Sequence, residues 1–148
     1  HLLLAGLGIE PFDPRFDGEW LYRHTRSRTA SIKQVLLAGD VVVGVGNIYA
    51  SESLFRARIN PKRSARRIGL LRYTALAAAV REVLSQPGAV GGSTSRDRGG
   101  AGRAGGYFMP GARVYARAGE PCRVCATPIV RVVQGQRATY YCRVCQKR

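Results

Sequence analysis

Residues 122–145 read CRVCATPIVRVVQGQRATYYCRVC, and the placement of the cysteines in this stretch decides how the chain is built. Cys122 and Cys125 are separated by two residues, as are Cys142 and Cys145, and sixteen residues lie between the pairs. Two such turns can each aim two sulfurs at one point, which is the spacing of a tetrahedral zinc site with four thiolate ligands. Four protein ligands leave no position for water, so the expected role of the ion is structural. Between the pairs, IVRVV and RATYY have strand propensity and flank Gly135, so a hairpin with its tip near QGQR is expected. A segment of about 30 residues has too little core to fold alone, and metal binding worth roughly 10–16 kcal/mol would be its folding energy. Two disulfides, or iron in a rubredoxin-like site, are the alternatives that spacing leaves open; iron would colour the protein, and zinc would not. Arg123, Arg131, Arg137 and Arg143 make the ribbon a candidate phosphate-binding finger, against the plainer reading of solvated surface charge.

Upstream of the ribbon the composition changes twice. Residues 88–112, GAVGGSTSRDRGGAGRAGGYFMPGA, hold most of the glycine and almost no apolar side chain before Tyr107, which reads as a mobile loop. Residues 13–86 read as all-helical. Asp13 with Pro14, or Asp17, can start a first helix that turns Trp20 and Leu21 to the core. Ser31 and Gln34 form a capping box for a second helix through Val35–Leu37, stopped by Gly39. Val41–Val43 is too short between glycines for a strand and reads as a buried turn. A third helix from Asn47 has one apolar face and ends at the INP sequence before Pro61, and a fourth runs from about Leu71 to Ser85. The expected parts are therefore a helical bundle over 1–87, a loop over 88–112 and a small β-hairpin zinc ribbon over 113–148.

The start of the third helix, GVGNIYASES at 44–53, supports two readings. A helix N-terminus carries unpaired N–H groups and a partial positive charge, and a glycine approach lets a phosphate come close to them. The plainer reading is a loop ending in an Asn N-cap.

Charge favours a polyanionic partner. The chain has 24 Lys and Arg against 9 Asp and Glu, a formal charge of +15. Residues 1–53 hold 5 basic and 6 acidic side chains (5 − 6 = −1), and residues 54–148 hold 19 and 3 (19 − 3 = +16). Arginine dominates, which suits bidentate phosphate contacts, and nucleic acid is the leading partner. No basic amphipathic helix with bulky apolar anchors suggests a membrane surface, no apolar run is long enough to span one, and the first residues do not form a signal peptide. A cytoplasmic, monomeric protein is expected, and His1 in place of Met reads as a processed chain or an excerpt of a longer one. His1 and His24 are the only histidines and neither lies near a nucleophile motif; paired-carboxylate spacings, a Walker loop and a dinucleotide fingerprint are all missing, and a closed thiolate site disfavours a zinc hydrolase.

Taken together, VVVGVGNIYASESLFRARINP, the glycine-rich loop, GEPCRVCATPI and QRATYYCRVCQ closely resemble the C-terminal half of the formamidopyrimidine-DNA glycosylase family, rather than its endonuclease-eight branch. The resemblance implies a helix-two-turn-helix domain followed by a zinc finger, holding one structural Zn(II) on Cys122, Cys125, Cys142 and Cys145. It places Asn47 on a DNA phosphate beside the lesion, assisted by the backbone at Gly46, puts Lys33 on the DNA-facing side, and makes Arg137 a clamp on the phosphates around the flipped nucleotide. Tyr115 joins this DNA-binding set. Arg96, Tyr107 and Phe108 fall in the loop that covers the extruded base, where Ser95, Arg98 and Gly102 depart from the family pattern. Glu52 is expected to make a structural hydrogen bond. The intact family excises oxidised purines such as 8-oxoguanine and formamidopyrimidines from double-stranded DNA, and cleaves the abasic strand through an N-terminal proline amine assisted by a glutamate. Neither residue is in this chain, so it is expected to bind damaged DNA without cutting it and to carry no catalytic residue. A free-standing zinc-ribbon nucleic-acid module of transcription or translation is the alternative.

Overall fold

The computed structural model describes residues 6–86 and 111–148. Arg96, Tyr107 and Phe108, and with them nearly all of the expected 88–112 loop, lie outside the described residues. The order of elements is α1 (Gly18–Arg23), α2 (Ile32–Ala38), α3 (Asn47–Arg56), a 3₁₀ turn (Ala65–Arg67), α4 (Leu70–Leu84), β1 (Val130–Gln134) and β2 (Arg137–Tyr141).

Local chemistry sets most of the helix ends. Asp17, not Asp13, caps α1: its carboxylate accepts from the Trp20 amide at 2.8 Å. Gly18 is required by packing, because a Cβ there would sit 2.2 Å from Thr74 Oγ1 on α4. Leu21 is fully buried, whereas Trp20 lies at the core's edge with its indole N–H on Val41 O at 3.0 Å and His24 stacked on its ring at 3.9 Å. Ser31 caps α2, accepting from the Gln34 amide at 3.3 Å while its hydroxyl donates to Gln34 Oε1 at 2.8 Å. The capping box thus closes through the two side chains. Val41 and Val42 form a buried turn held to the preceding chain, Val43 N–H donating to Ile9 O at 2.9 Å.

The third helix begins at Asn47 as expected, but it departs from expectation in its cap, at its end and along its length. Gly46 is its cap and Asn47 its first helical residue, so the Asn side chain is not an N-cap. It stops at Arg56, before the INP sequence. Arg58 takes a left-handed φ of 61°, Ile59 N–H donates to Leu54 O at 2.9 Å and Arg58 N–H to Phe55 O at 3.0 Å. Those two bonds are a Schellman closure with arginine where glycine is usual. In place of one apolar face, Asn47 through Phe55 are all buried. Tyr49, Ala50 and Leu54 join a core with Phe16, Leu21, Leu36, Tyr73, Leu76 and Val80, while Phe55 enters a second core with Val114, Cys122, Ile129 and Cys142. The helix is therefore sandwiched between the helical layer and the ribbon.

In the ribbon, β1 and β2 pair antiparallel with Val130 opposite Tyr141 and Gln134 opposite Arg137. The two turn residues Gly135 and Gln136 have φ of 55° and 70°, as a two-residue type I′ connection requires. The tip rests on the start of α2: Gln134 Nε2 donates to Ser31 Oγ at 3.1 Å and to Pro61 O at 3.3 Å.

Candidate functional site

The cysteine spacing is realised in three dimensions. The Sγ atoms of Cys122, Cys125, Cys142 and Cys145 all lie within 4.8 Å of one another, with Cys122–Cys145 at 3.8 Å and Cys125–Cys142 at 3.5 Å. A disulfide needs about 2.05 Å, and the edge of a tetrahedron of Zn–S bonds of about 2.3 Å is about 3.8 Å. The thiols are free, and their separations fit the ion and not the bridge. Val124 N–H donates to Cys122 Sγ at 3.3 Å and Cys145 N–H to Cys142 Sγ at 3.4 Å, so each turn supplies a donor for thiolate charge. The four thiols are not equivalent. The Thr127 hydroxyl, 3.2 Å from Cys125 Sγ, together with the Thr127 backbone, holds that thiol down at about 6, whereas burial and then the neighbouring thiols push Cys145 up to about 12. Burial also raises Cys142. A divalent cation is the group that lets all of them ionise together. The donor set contains sulfur only, which suits one structural zinc ion.

A second, polar node joins α2, α3 and β2. The Lys33 ammonium donates to Asn47 Oδ1, to Thr139 Oγ1 at 2.7 Å and to Ala138 O at 3.3 Å. Asn47 Nδ2 donates to the same Ala138 carbonyl at 2.9 Å. Lys33 has no exposed surface and Asn47 has 1%, so the lysine reaches the node from inside the protein. The carbonyl they share belongs to the residue after Arg137, and the node thereby fixes the half-buried Arg137 at the hairpin tip relative to the start of α3. Gly46, preceding Asn47, provides no side-chain cap, and the first turn of α3 keeps its N–H groups for another acceptor.

Tyr115 is placed by a third contact. The buried Glu52 carboxylate accepts from the backbone N–H groups of Arg113 (2.8 Å), Val114 (2.9 Å) and Tyr115 (2.8 Å). The Tyr115 ring meets Tyr140 of β2 edge-on, with centroids 5.0 Å apart. Lys33, Gly46, Asn47, Tyr115 and Arg137 are thus gathered around α3 and β2. Arg123, Arg131 and Arg143 are exposed on the ribbon, and His24 is exposed at the end of α1.

Sequence reasoning missed the receptor half of the node. Thr139 and the Ala138 carbonyl have no motif of their own, although a threonine and two tyrosines in succession along β2 imply that one face is covered. It also missed Gln146, which is fully buried: its side chain accepts from Cys142 N–H at 2.8 Å and donates to Ile59 O at 3.0 Å, while its carbonyl accepts from Asn60 Nδ2 at 2.8 Å. These bonds tie the last cysteine turn to the end of α3.

The chain is thus of a recognisable kind, an α-helical domain fastened along one central helix to a four-thiol zinc ribbon. The family model described as formamidopyrimidine-DNA glycosylase H2TH domain matches residues 7–99, and that described as zinc finger found in FPG and IleRS matches residues 119–148. The chain belongs to the formamidopyrimidine-DNA glycosylase family. The enzyme of that name from Bordetella petrii is 65% identical over 100% of this chain and 54% of its own length, and that from Herminiimonas arsenicoxydans is 61% identical over 99% and 54%. Among solved structures, the MutM (Fpg) protein of Thermus thermophilus superposes with a TM-score of 0.75 at 33% identity over 98% of this chain and 55% of that one. A complex between the Lactococcus lactis Fpg and an abasic site containing DNA gives 0.78 at 27% identity over 99% and 53%. The chain spans about half the length of the curated relatives it matches. No helix among the described residues is long and apolar enough to cross a membrane.

Proposed function

We propose that this chain is the damaged-DNA-gripping half of a base-excision repair DNA glycosylase and AP lyase, acting on double-stranded DNA that carries oxidised purines such as 8-oxoguanine and formamidopyrimidines. The observation that carries the reading is the node in which Lys33, Asn47 and the Ala138–Thr139 backbone and side chain lock the start of α3 to the hairpin bearing Arg137. A phosphate approaching Gly46–Asn47 meets uncapped helix N–H groups and the positive end of the helix dipole. The Asn47 amide has two N–H donors, of which Ala138 takes one, leaving the other for a phosphate oxygen. Lys33 acts from behind, orienting the Asn47 amide, and Arg137 reaches neighbouring phosphates from the ribbon side. Tyr115 holds its place through Glu52 and flanks the same track.

On this reading α2, the double turn between Gly39 and Gly46, and α3 form the helix-two-turn-helix. On the same reading 1–87 is the DNA-binding helical domain and 113–148 the zinc finger, while the lesion-loop role expected of Arg96, Tyr107 and Phe108 falls outside the described residues. The zinc ion holds the ribbon's shape and takes no part in bond breaking. Base removal and strand cleavage belong to the whole protein, of which the matched relatives contain about twice this length. A free-standing zinc-ribbon module is disfavoured because α3 is buried on both sides, one of them by the ribbon itself.

The test is binding of the zinc-loaded chain to a duplex with a central abasic-site analogue and to the same duplex intact. A preference for the lesioned duplex is expected, and Asn47→Ala or Arg137→Ala should each remove about 1.5–3 kcal/mol of it, roughly tenfold to a hundredfold in Kd. Equal affinity for both duplexes in the unsubstituted protein would end the proposal.

A further inference from the structure

The connection between α3 and α4 concentrates positive charge that the proposed lesion contacts do not use. No acidic residue occurs in the sequence between Glu52 and Glu82, and Arg58, Lys62, Arg63, Arg66, Arg67 and Arg72 fall inside that interval. The ion pairs among the described residues are Arg15–Asp13, Arg28–Asp40, Arg56–Glu82 and Arg117–Glu120, so none of these six cations has an acidic partner there. Burial and the nearby Arg63 charge push Arg72 below the ordinary arginine value. Like charges crowded in this way cost stability unless an anion neutralises them.

The segment is also held rigidly. Ala65 N–H donates to Ala30 O and Arg66 N–H to Arg28 O, both at 2.9 Å, and Ser64 Oγ donates to Thr29 O at 3.0 Å. Tyr73 O–H donates to Ala65 O at 2.8 Å. The Arg26 guanidinium lies over the Tyr22 ring at 3.7 Å and bridges Arg66 O at 2.9 Å and Ile68 O at 2.8 Å, so the underside of the 3₁₀ turn is capped by a cation. Arg66 and Arg67 are left exposed on its outer side, and neither side chain is bonded to another described residue. A fixed backbone presenting two adjacent guanidinium groups spares the main-chain ordering cost when a phosphate takes them up, leaving only the side-chain rotamers to be ordered.

The basic segment adjoins the element on which the hairpin tip rests. Ile32 N–H donates to Arg63 O at 2.8 Å, and Gln134 beside the tip donates to both Ser31 Oγ and Pro61 O. The basic segment and the hairpin bearing Arg137 therefore pack against the same stretch at the start of α2, with Lys62 and Arg63 between Pro61 and the 3₁₀ turn. We propose that Arg66 and Arg67 form a second backbone contact for the same DNA duplex, gripping phosphates on its flank beyond the lesion. Resting on the DNA-binding reading above, the proposal adds a footprint that extends along the duplex. Adjacency to the hairpin, with two separate cationic places side by side, favours a polyanion laid along both regions over an acidic peptide bound at one of them.

The experiment compares the zinc-loaded protein with its Arg66→Ala, Arg67→Ala double variant on lesioned duplexes of about one and about three helical turns. Each neutralised phosphate contributes about −0.9 to the slope of log K against log salt. On the long duplex the variant should lose about 1.8 of that slope, and on the short duplex nothing. Arg66→Lys, Arg67→Lys should restore the slope, since a point charge suffices for counterion release. An unchanged slope on the long duplex, or an equal fall on both lengths, overturns the proposal; the second outcome would assign the two arginines to the central site or to general attraction. Discrimination of lesioned from intact duplex should be unaltered by the double variant. If the unsubstituted protein shows no such discrimination while the length-dependent slope remains, the lesion reading fails and the flanking contact stands. Circular dichroism and zinc content of the variant check that its fold is intact.

Discussion

The helical layer and the ribbon are held together by different physics. The helical layer has a conventional apolar interior, with Phe16, Leu21, Ile32, Leu36, Leu54, Ile59, Ile68, Tyr73, Leu76 and Val80 at or near zero exposure. The ribbon's interior is Val114, Ile129, two of the zinc ligands, Cys122 and Cys142, and Phe55, which α3 contributes. Without the metal ligands and the borrowed phenyl ring, little is left that could exclude water. The ribbon is accordingly an attachment whose shape depends on an ion and on α3, while the helical layer is self-supporting. The same contrast places the residues proposed to meet phosphate at the seam: Asn47 on the stable side, Arg137 on the dependent side, and Lys33 bridging them from beneath.

Removing the metal should separate the two regions most visibly. With a strong chelator under reducing conditions, the ribbon is expected to lose about 10–16 kcal/mol of binding energy and its fold, while α1, α2 and α4 keep their protection. Hydrogen exchange reads this region by region. Amides of Val130–Gln134 and Arg137–Tyr141 should exchange rapidly, and those of Leu76, Ala77 and Val80 in α4 should not. Simultaneous loss of protection in all helices would mean that the two regions form one cooperative unit. Arg137 would then owe its position to the whole molecule rather than to the metal.

A smaller effect, divided more finely, is expected between two adjacent residues of α3. Leu54 faces the helical core and Phe55 the ribbon core. Leu54→Ala should cost about 2–5 kcal/mol in global unfolding, and Phe55→Ala about 3–5 kcal/mol. The second loss should appear chiefly as weaker zinc retention and faster exchange in the ribbon. Competition with a chromogenic chelator measures that directly. If both variants weaken zinc binding equally, the seam transmits packing defects from one region to the other.

Much of this was legible in the sequence where the determinant is local. Cys122, Cys125, Cys142 and Cys145 announce their site because each pair needs only a tight turn, and Ser31 with Gln34 announces the start of α2 because the cap bonds span three residues. The burial of α3 was hidden for the opposite reason. Ser51 and Ser53 look like a solvent face by composition, and the structural hydrogen bond expected of Glu52 had no partner legible in the sequence; all three are buried, with the chain from Arg113 to Tyr115 donating its N–H groups to Glu52 and the ribbon packed over the helix. That is a contact between residues about 60 positions apart, and no periodicity carries it. The resemblance singled out Lys33 as a DNA-facing residue, but its burial was not legible, since it depends on Thr139 and Ala138 arriving from the far end of the chain. The end of α3 was misplaced because the left-handed residue that closes it is Arg58, where glycine would have marked the stop.

That same arginine gives the smallest and most selective test. A non-glycine residue at φ 61° carries a steric cost of roughly 1–2 kcal/mol between Cβ and the backbone, which glycine does not. Arg58 is exposed, and its carbonyl, which accepts from Arg72, would be retained in Arg58→Gly. The unfolded chain gains freedom from glycine, which offsets part of the relief, so a net gain of about 0.5–1 kcal/mol is expected. Because the Schellman closure lies in the self-supporting half, the gain should raise the unfolding temperature of the helical layer and leave zinc affinity unchanged. A rise in both would show that the end of α3 is coupled to the ribbon through Ile59 O and Gln146, a hydrogen-bonded path that leads from this turn to the last pair of cysteines.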